Sequence, residues 1–244
     1  MGTFATPRFC REKKIEIGES LHLLENNPMV TECIEILSSR LNSYGHGLSH
    51  ALKVAIDAGA IILIERQDAI KAGNVKRAVV LAHMAGILHD IKRSDKNHAR
   101  RGAEEARKIL RGFDLTDNEQ KSVVDAIGNH EAFHPCAPLS DPDAQLLSDA
   151  LYDADKFRWG PDNFTEMIWD ISDILNISIE ILLAHFPAGL KTLEKIIDTF
   201  RTSTGREYGP DFIALGLKIG ESLYKELGKE HLRLSPPQAG GEHI

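Results

Sequence analysis

Val75-Lys76-Arg77-Ala78-Val79-Val80-Leu81-Ala82-His83-Met84-Ala85-Gly86-Ile87-Leu88-His89-Asp90 is the stretch on which the fold turns. Apolar residues occupy it almost without a break, so it predicts a long helix buried over most of its circumference. It is wrong for lipid: His83 interrupts it and His89-Asp90 closes it, short of the roughly 18 apolar residues that a membrane span needs. An adjacent histidine and aspartate at the end of a buried helix are costly to bury without a partner. On the residues alone, Asp90 caps the next turn beside a satisfied core histidine, or the pair holds a ligand.

Working outward, Leu48, Leu52, Val54, Ala55, Ala58, Ile61, Ile62 and Ile64 predict a second long buried helix. Val30, Cys33, Ile34, Ile36 and Leu37 fit a helix begun by Asn27-Pro28, with proline in its first turn. Gly102–Leu110 and Asn118–His130 are amphipathic. Asp141–Trp159 reads as another helix, ended by Gly160-Pro161, and further helices fit Phe164–Leu175, Ser178–Phe186, Thr192–Arg201 and Asp211–Gly228. The polar stretch Thr202–Pro210 reads as a loop and a candidate substrate-specific lid. No alternating strand pattern, repeat or low-complexity linker divides the chain. The expectation is one all-α helical domain over about residues 1–232, with a helical elaboration over about 161–232 and a disordered tail from about 233 to 244.

The 244 residues suffice for a sizeable core without disulfide staples. Apolar residues at 42% and charged residues at 27% are ordinary for a globular chain. A formal charge of −7, from 29 Lys and Arg against 36 Asp and Glu, disfavours binding to a nucleic-acid polymer. The three cysteines, Cys10, Cys33 and Cys136, form no CxxC pair, so neither a disulfide framework nor a cysteine zinc site is expected, and a reducing cytoplasm is. No membrane span is expected. Assembly into a homo-oligomer is left open.

Eleven histidines are many for this length, and they are grouped. His46 and His50 share a helix face. His98 follows the polar loop Ser94–Asn97, and His130 ends a helix before Glu131 and His134. Asp153 and Asp155 stand in Tyr152-Asp153-Ala154-Asp155-Lys156. Imidazole nitrogen with carboxylate oxygen suits iron, manganese, cobalt, nickel or zinc, and such a site activates water and clamps an anion. Lys92, Arg93, Lys96, Arg100 and Arg101 follow Asp90, a local reversal of charge that either steers an anionic substrate or forms a solvated face. Lys156 and Arg158 either reach a phosphate or screen the carboxylates. The chain has no GxxxxGK[ST], GxSxG or HExxH pattern, and no GxGxxG after a strand.

His50, then His89-Asp90, then Asp155 resembles the H…HD…D signature of the HD-domain superfamily of metal-dependent phosphohydrolases. Ser49-His50-Ala51-Leu52-Lys53-Val54, Gly86-Ile87-Leu88-His89-Asp90-Ile91 and Asp153-Ala154-Asp155-Lys156-Phe157 are similar to its three blocks. The chain departs from many relatives in having Lys92-Arg93 after His-Asp-Ile. The resemblance implies an all-α helical bundle with a metal-site core over about residues 28–160, and metal ligands His50, His89, Asp90 and Asp155. His98 and His130 stand in blocks resembling a subset that binds two ions, with Asp90 bridging; otherwise they line the pocket. The implied cofactor is a divalent transition metal, two ions in that subset, from Fe, Mn, Co, Ni or Zn, with Mg compatible. The implied substrate is a small phosphate ester, a nucleotide among the candidates. Lys92, Arg93 and Lys156 would face its phosphate, and Glu131 or Asp153 would relay protons. His46 either touches a metal-bound water or caps its helix. The alternatives are a di-iron oxygenase of the same superfamily and a metal-stabilised binding module without catalysis.

Overall fold

The structure is a computed structural model, and it describes residues 5–40, 46–67, 75–136, 138–167 and 177–234. The described residues form ten α-helices and no strand: α1 (Arg8–Glu12), α2 (Lys14–Asn26), α3 (Pro28–Arg40), α4 (His46–Glu65), α5 (Val75–Leu88), α6 (His98–Leu110), α7 (Asp117–Gly128), α8 (Pro142–Phe157), α9 (Ile179–Ile196) and α10 (Ser203–Leu234). A π turn covers Asn163–Met167 and a 3-10 turn Ile197–Thr199. The all-α expectation holds.

α4 and α5 pack on each other at the centre, as their near-continuous apolar character requires. α2, α8 and α10 lie against α4, and α3, α7 and α8 against α5. Eleven consecutive-face residues of α5, from Val79 through Leu88 with Val75, are buried. Gly47–Glu65 of α4 reaches a mean hydropathy of 1.6, long and apolar enough to cross a membrane by composition. Here its Val54, Ala55, Ala58, Ala60 and Ile61 are fully buried by protein neighbours, which accounts for that hydropathy as core.

The two central helices touch at Gly86. A Cβ there would stand 2.6 Å from Ala55 Cα and 2.7 Å from Ala55 N. Both obstacles are backbone, so a side chain has to push α4 and α5 apart. Gly86→Val is therefore expected to cost about 2–3 kcal/mol by overpacking, read as a lowered midpoint in thermal denaturation.

Helix ends follow local chemistry where the signal is local. Asn27 Oδ1 accepts from the N–H groups of Met29 and Val30. Thr116 and Glu119 form a reciprocal capping box on α7. Asp141 caps α8 ahead of Pro142.

Three sequence expectations change. α1 and α2 were not expected, and they bring Phe9 and Leu24 into the core. The expected helices over Ser178–Phe186 and Thr192–Arg201 are largely one helix, α9, with Pro187 inside it. Buried Phe186 before that proline and buried Leu193 and Ile196 after it anchor both halves, which outweighs the lost hydrogen bond. The loop expected over Thr202–Pro210 is instead the first turns of α10, so the lid reading is withdrawn. The helix start is imposed from afar. Asp153 accepts from the N–H groups of Arg201 and Thr202 and from the Thr202 hydroxyl, while Thr202 Oγ1 accepts from Gly205 N–H. Glu65, at the end of α4, accepts from the N–H and hydroxyl of Thr204. Carboxylates at a helix N-terminus satisfy its orphan donors and its dipole. Most of the expected helix Phe164–Leu175, beyond residue 167, lies outside the described residues, as does the disordered tail expected over 233–244 apart from its first two residues, which end α10.

Candidate metal centre

Five chain segments deliver the site. His50 comes from the second turn of α4, His89 and Asp90 from the end of α5, and Asp155 from the last turn of α8. His98 opens α6, and His130 follows α7. Two of these histidines are set by the same device. The chain leaves α5 and α7 just before them, so carbonyls there lack helical partners. His89 Nδ1 lies 2.7 Å from Gly86 O, and His130 Nδ1 lies 2.6 Å from Ile127 O. A carbonyl only accepts, so each Nδ1 carries the proton and each Nε2 presents its lone pair to the site.

Those lone pairs converge with carboxylate oxygens. His50 Nε2 is 3.2 Å from His89 Nε2 and 3.4 Å from Asp155 Oδ1. Asp90 divides the cluster. Its Oδ2 stands 3.5 Å from His89 and 4.0 Å from His50, while its Oδ1 stands 3.4 Å from His130 and 3.8 Å from His98. Two sets of candidate ligands result, His50, His89 and Asp155 in one and His89, Asp90 and His130 in the other.

Asp90 Oδ1 and His130 Nε2 are buried and have no hydrogen-bond partner among the described residues. Two acceptors 3.4 Å apart, with no proton between them, repel each other in a dry pocket. A cation removes that cost, and the donor set suits a divalent transition metal. The residues fit the implied ion. Protonation supports the same reading. Burial pushes His89 down to about 4, so it is neutral near pH 7.

The cluster floors a cavity of about 420 Å³, lined also by Arg93, Glu131, Phe133, Lys156, Trp159 and Thr192. Arg93 Nη1 reaches His98 Nε2 at 3.2 Å. Glu131 pairs with His134 at 3.5 Å at the mouth. Lys156, only 2% exposed, donates to Asp155 Oδ2 at 2.5 Å and to His130 O at 3.0 Å, so it binds a ligand from α8 to the segment after α7. Lys92 stands on the turn after Asp90 and is not among the residues lining the cavity. Asp153 points away from the cavity to the start of α10, and Arg158 is committed to Asp57 and Asp162, at 2.5 and 2.9 Å. His83 is a core histidine against Ser20 Oγ at 2.9 Å. The side chain of His46 lies outside the described residues.

Phe133, Trp159 and Thr192 were not singled out by sequence. Phe133 had no local signal, yet it adopts a φ of 63° and is 53% exposed beside the cavity. A left-handed bulky residue is uncommon and stores strain, a feature concentrated at functional sites.

Fold and site together define an all-α protein with a cluster of histidine and aspartate side chains that could hold a metal. No family model and no curated protein matches the chain. Among solved structures it is similar to a predicted HD superfamily hydrolase from an uncultured Thermotogales bacterium, with a TM-score of 0.47 and 21% identity over 87% of this chain and 97% of that one.

Proposed function

We propose that the protein is a metal-dependent phosphohydrolase acting on a small phosphate ester, a nucleotide being one candidate. The observation that carries this reading is the facing pair of buried, unpartnered acceptors, Asp90 Oδ1 and His130 Nε2, at the floor of a cavity whose wall includes Arg93. His50, His89, Asp155 and Asp90 Oδ2 would hold one ion, and Asp90 Oδ1, His98 and His130 a second. A bound divalent ion supplies Lewis acidity that lowers the pKa of water from 15.7 toward about 7.

The chain's own groups do the rest. Arg93 faces the cavity with a guanidinium that pairs with nonbridging phosphate oxygens. Glu131, which lines the cavity, would take the proton of the attacking water. That water forms the new P–O bond as the ester P–O bond breaks, and the leaving alcohol takes up a proton. Lys156 orients Asp155 rather than the substrate. Phe133 and Trp159 give the cavity an apolar wall for the alcohol portion of the ester.

The test is elemental analysis of the purified protein combined with a hydrolysis screen over nucleotides and sugar phosphates under anaerobic conditions. Phosphate release supports the proposal. Oxygen consumption without phosphate release would move the protein to the di-iron oxygenase class, and neither activity would leave a binding module. At saturating metal, His98→Ala and His130→Ala are each expected to lower stoichiometry from about two ions to one while the helical content is kept. Lys92→Ala and Arg93→Ala are expected to raise KM for a phosphate ester at low salt, with the effect shrinking as salt is added, because exposed charges are screened beyond about 8–10 Å at physiological ionic strength.

A further inference from the structure

Arg93 occupies the place where a second cation would sit. Its Nη1 is 3.2 Å from His98 Nε2 and 3.6 Å from Asp90 Oδ1, two of the three atoms assigned above to the second ion. A guanidinium has only donors, so the His98 nitrogen facing it must offer its lone pair. A second ion needs that same lone pair and that same carboxylate oxygen. The single imidazole lone pair cannot serve both cations, and at the carboxylate oxygen the two charges would repel.

Arg93 is also free to leave. Its side chain is 57% exposed, and among the described residues it has no partner beyond Asp90 and His98. The other cations near the centre are fixed: Lys156 is buried against Asp155 and His130 O, and Arg158 against Asp57 and Asp162. Of the first-position residues Arg93 reaches only Asp90, and that at Oδ1 rather than at the Oδ2 assigned to the first ion.

We infer that Arg93 is a built-in competitor for the second metal position: its guanidinium holds the centre in a one-ion state until an ion displaces it. This inference rests on the metal-centre reading above and deepens it. It also couples the ion to the substrate. An anion that pairs with the guanidinium draws Arg93 off His98 and Asp90, and linkage then requires that anion and second ion favour each other's binding.

The experiment is a Mn²⁺ titration of the full chain by calorimetry and electron paramagnetic resonance. The proteins are wild type, Arg93→Met, Lys96→Met and the double variant Arg93→Met/His98→Ala, each checked for helical content. Arg93→Met keeps the length of the stem and removes the charge. It is expected to tighten the second binding step by about tenfold, the size of a hydrogen bond to a charged group, and to leave the first step unchanged. The double variant should lose the second step. Lys96→Met removes a charge from the same turn without a contact to the centre, and it should leave both steps as in wild type. The inference is overturned if Arg93→Met binds the second ion no tighter than wild type, or if Lys96→Met tightens it equally, which would make the effect one of net charge. Uptake of no Mn²⁺ by any of the four would sink the metal-centre reading together with this inference. A normal first step with an unchanged second step in Arg93→Met sinks the inference alone.

Discussion

Asp90→Ala is expected to lose both metal positions and to lower phosphate-ester hydrolysis by about 10³-fold or more, equivalent to about 4 kcal/mol of transition-state stabilisation. Asp90 faces both halves of the cluster with separate oxygens, Oδ2 toward His50 and His89 and Oδ1 toward His98 and His130. Removing it deletes a ligand from each set and leaves the remaining imidazoles with one carboxylate, Asp155. The metal-free protein should stay folded, since Asp90 Oδ1 makes no hydrogen bond among the described residues whose loss would strand a buried donor. His89→Ala should follow the same course, since its Nε2 belongs to both candidate ligand sets. Full metal content and turnover in both variants would reject the assignment of this centre.

Asp153→Ala should do the opposite, destabilising the protein without touching the cavity directly. The Asp153 carboxylate is fully buried and accepts from Arg201 N–H, Thr202 N–H and the Thr202 hydroxyl at 2.7–2.8 Å. Burial pushes its pKa up to about 6, against the pull of those three donors. Alanine leaves donors unsatisfied at the start of the longest helix and opens a void beside Gly205, whose Cα approaches this carboxylate too closely for any side chain. The expected cost is about 4 kcal/mol, from hydrogen bonds to a charged group worth about 1.5–3 kcal/mol each. For a chain of this length that lowers Tm by roughly 8–16 °C. Asp153→Asn keeps an acceptor but turns an amide donor toward one of the N–H groups, so it should fall between. The measurement is thermal denaturation of metal-free protein by circular dichroism. A shift under about 2 °C for Asp153→Ala would show that α10 starts without this carboxylate.

These two aspartates, alike in kind and opposite in effect, mark the boundary of what a one-dimensional reading reaches. The central helices were legible because their cause is local: an apolar run over Val79–Leu88, interrupted only by His83, has no stable place except inside a protein. The caps at Asn27, Thr116 and Asp141 were local for the same reason, since each side chain reaches a backbone N–H only two or three residues on. His50, His89, Asp90 and Asp155 were legible as a pattern of residue types whose chemistry is shared. Their convergence needed the fold, because α4, α5 and α8 bring them together from across a span of more than a hundred residues.

Everything that depended on a distant partner was decided by tertiary structure alone. Thr202–Pro210 carries turn-forming residues and a proline, and by local propensity it is a loop. It is a helix because Asp153 and Glu65 arrive from α8 and α4 to satisfy its first N–H groups. Lys156 looked like a phosphate contact from its place after Asp155, and packing put it against a ligand and the His130 carbonyl instead. Arg158 was drawn to Asp57, a hundred residues earlier, before it reached the cavity. Arg93 kept the cavity position that its place after Asp90 foretold, but its contact with His98 depended on where α6 begins. The sequence by itself determined which residues must be buried and which can bind a cation, since hydrophobicity and ligand chemistry belong to single side chains. The tertiary structure decided which charge meets which, since an ion pair or a cap is a property of two groups and of the distance between them.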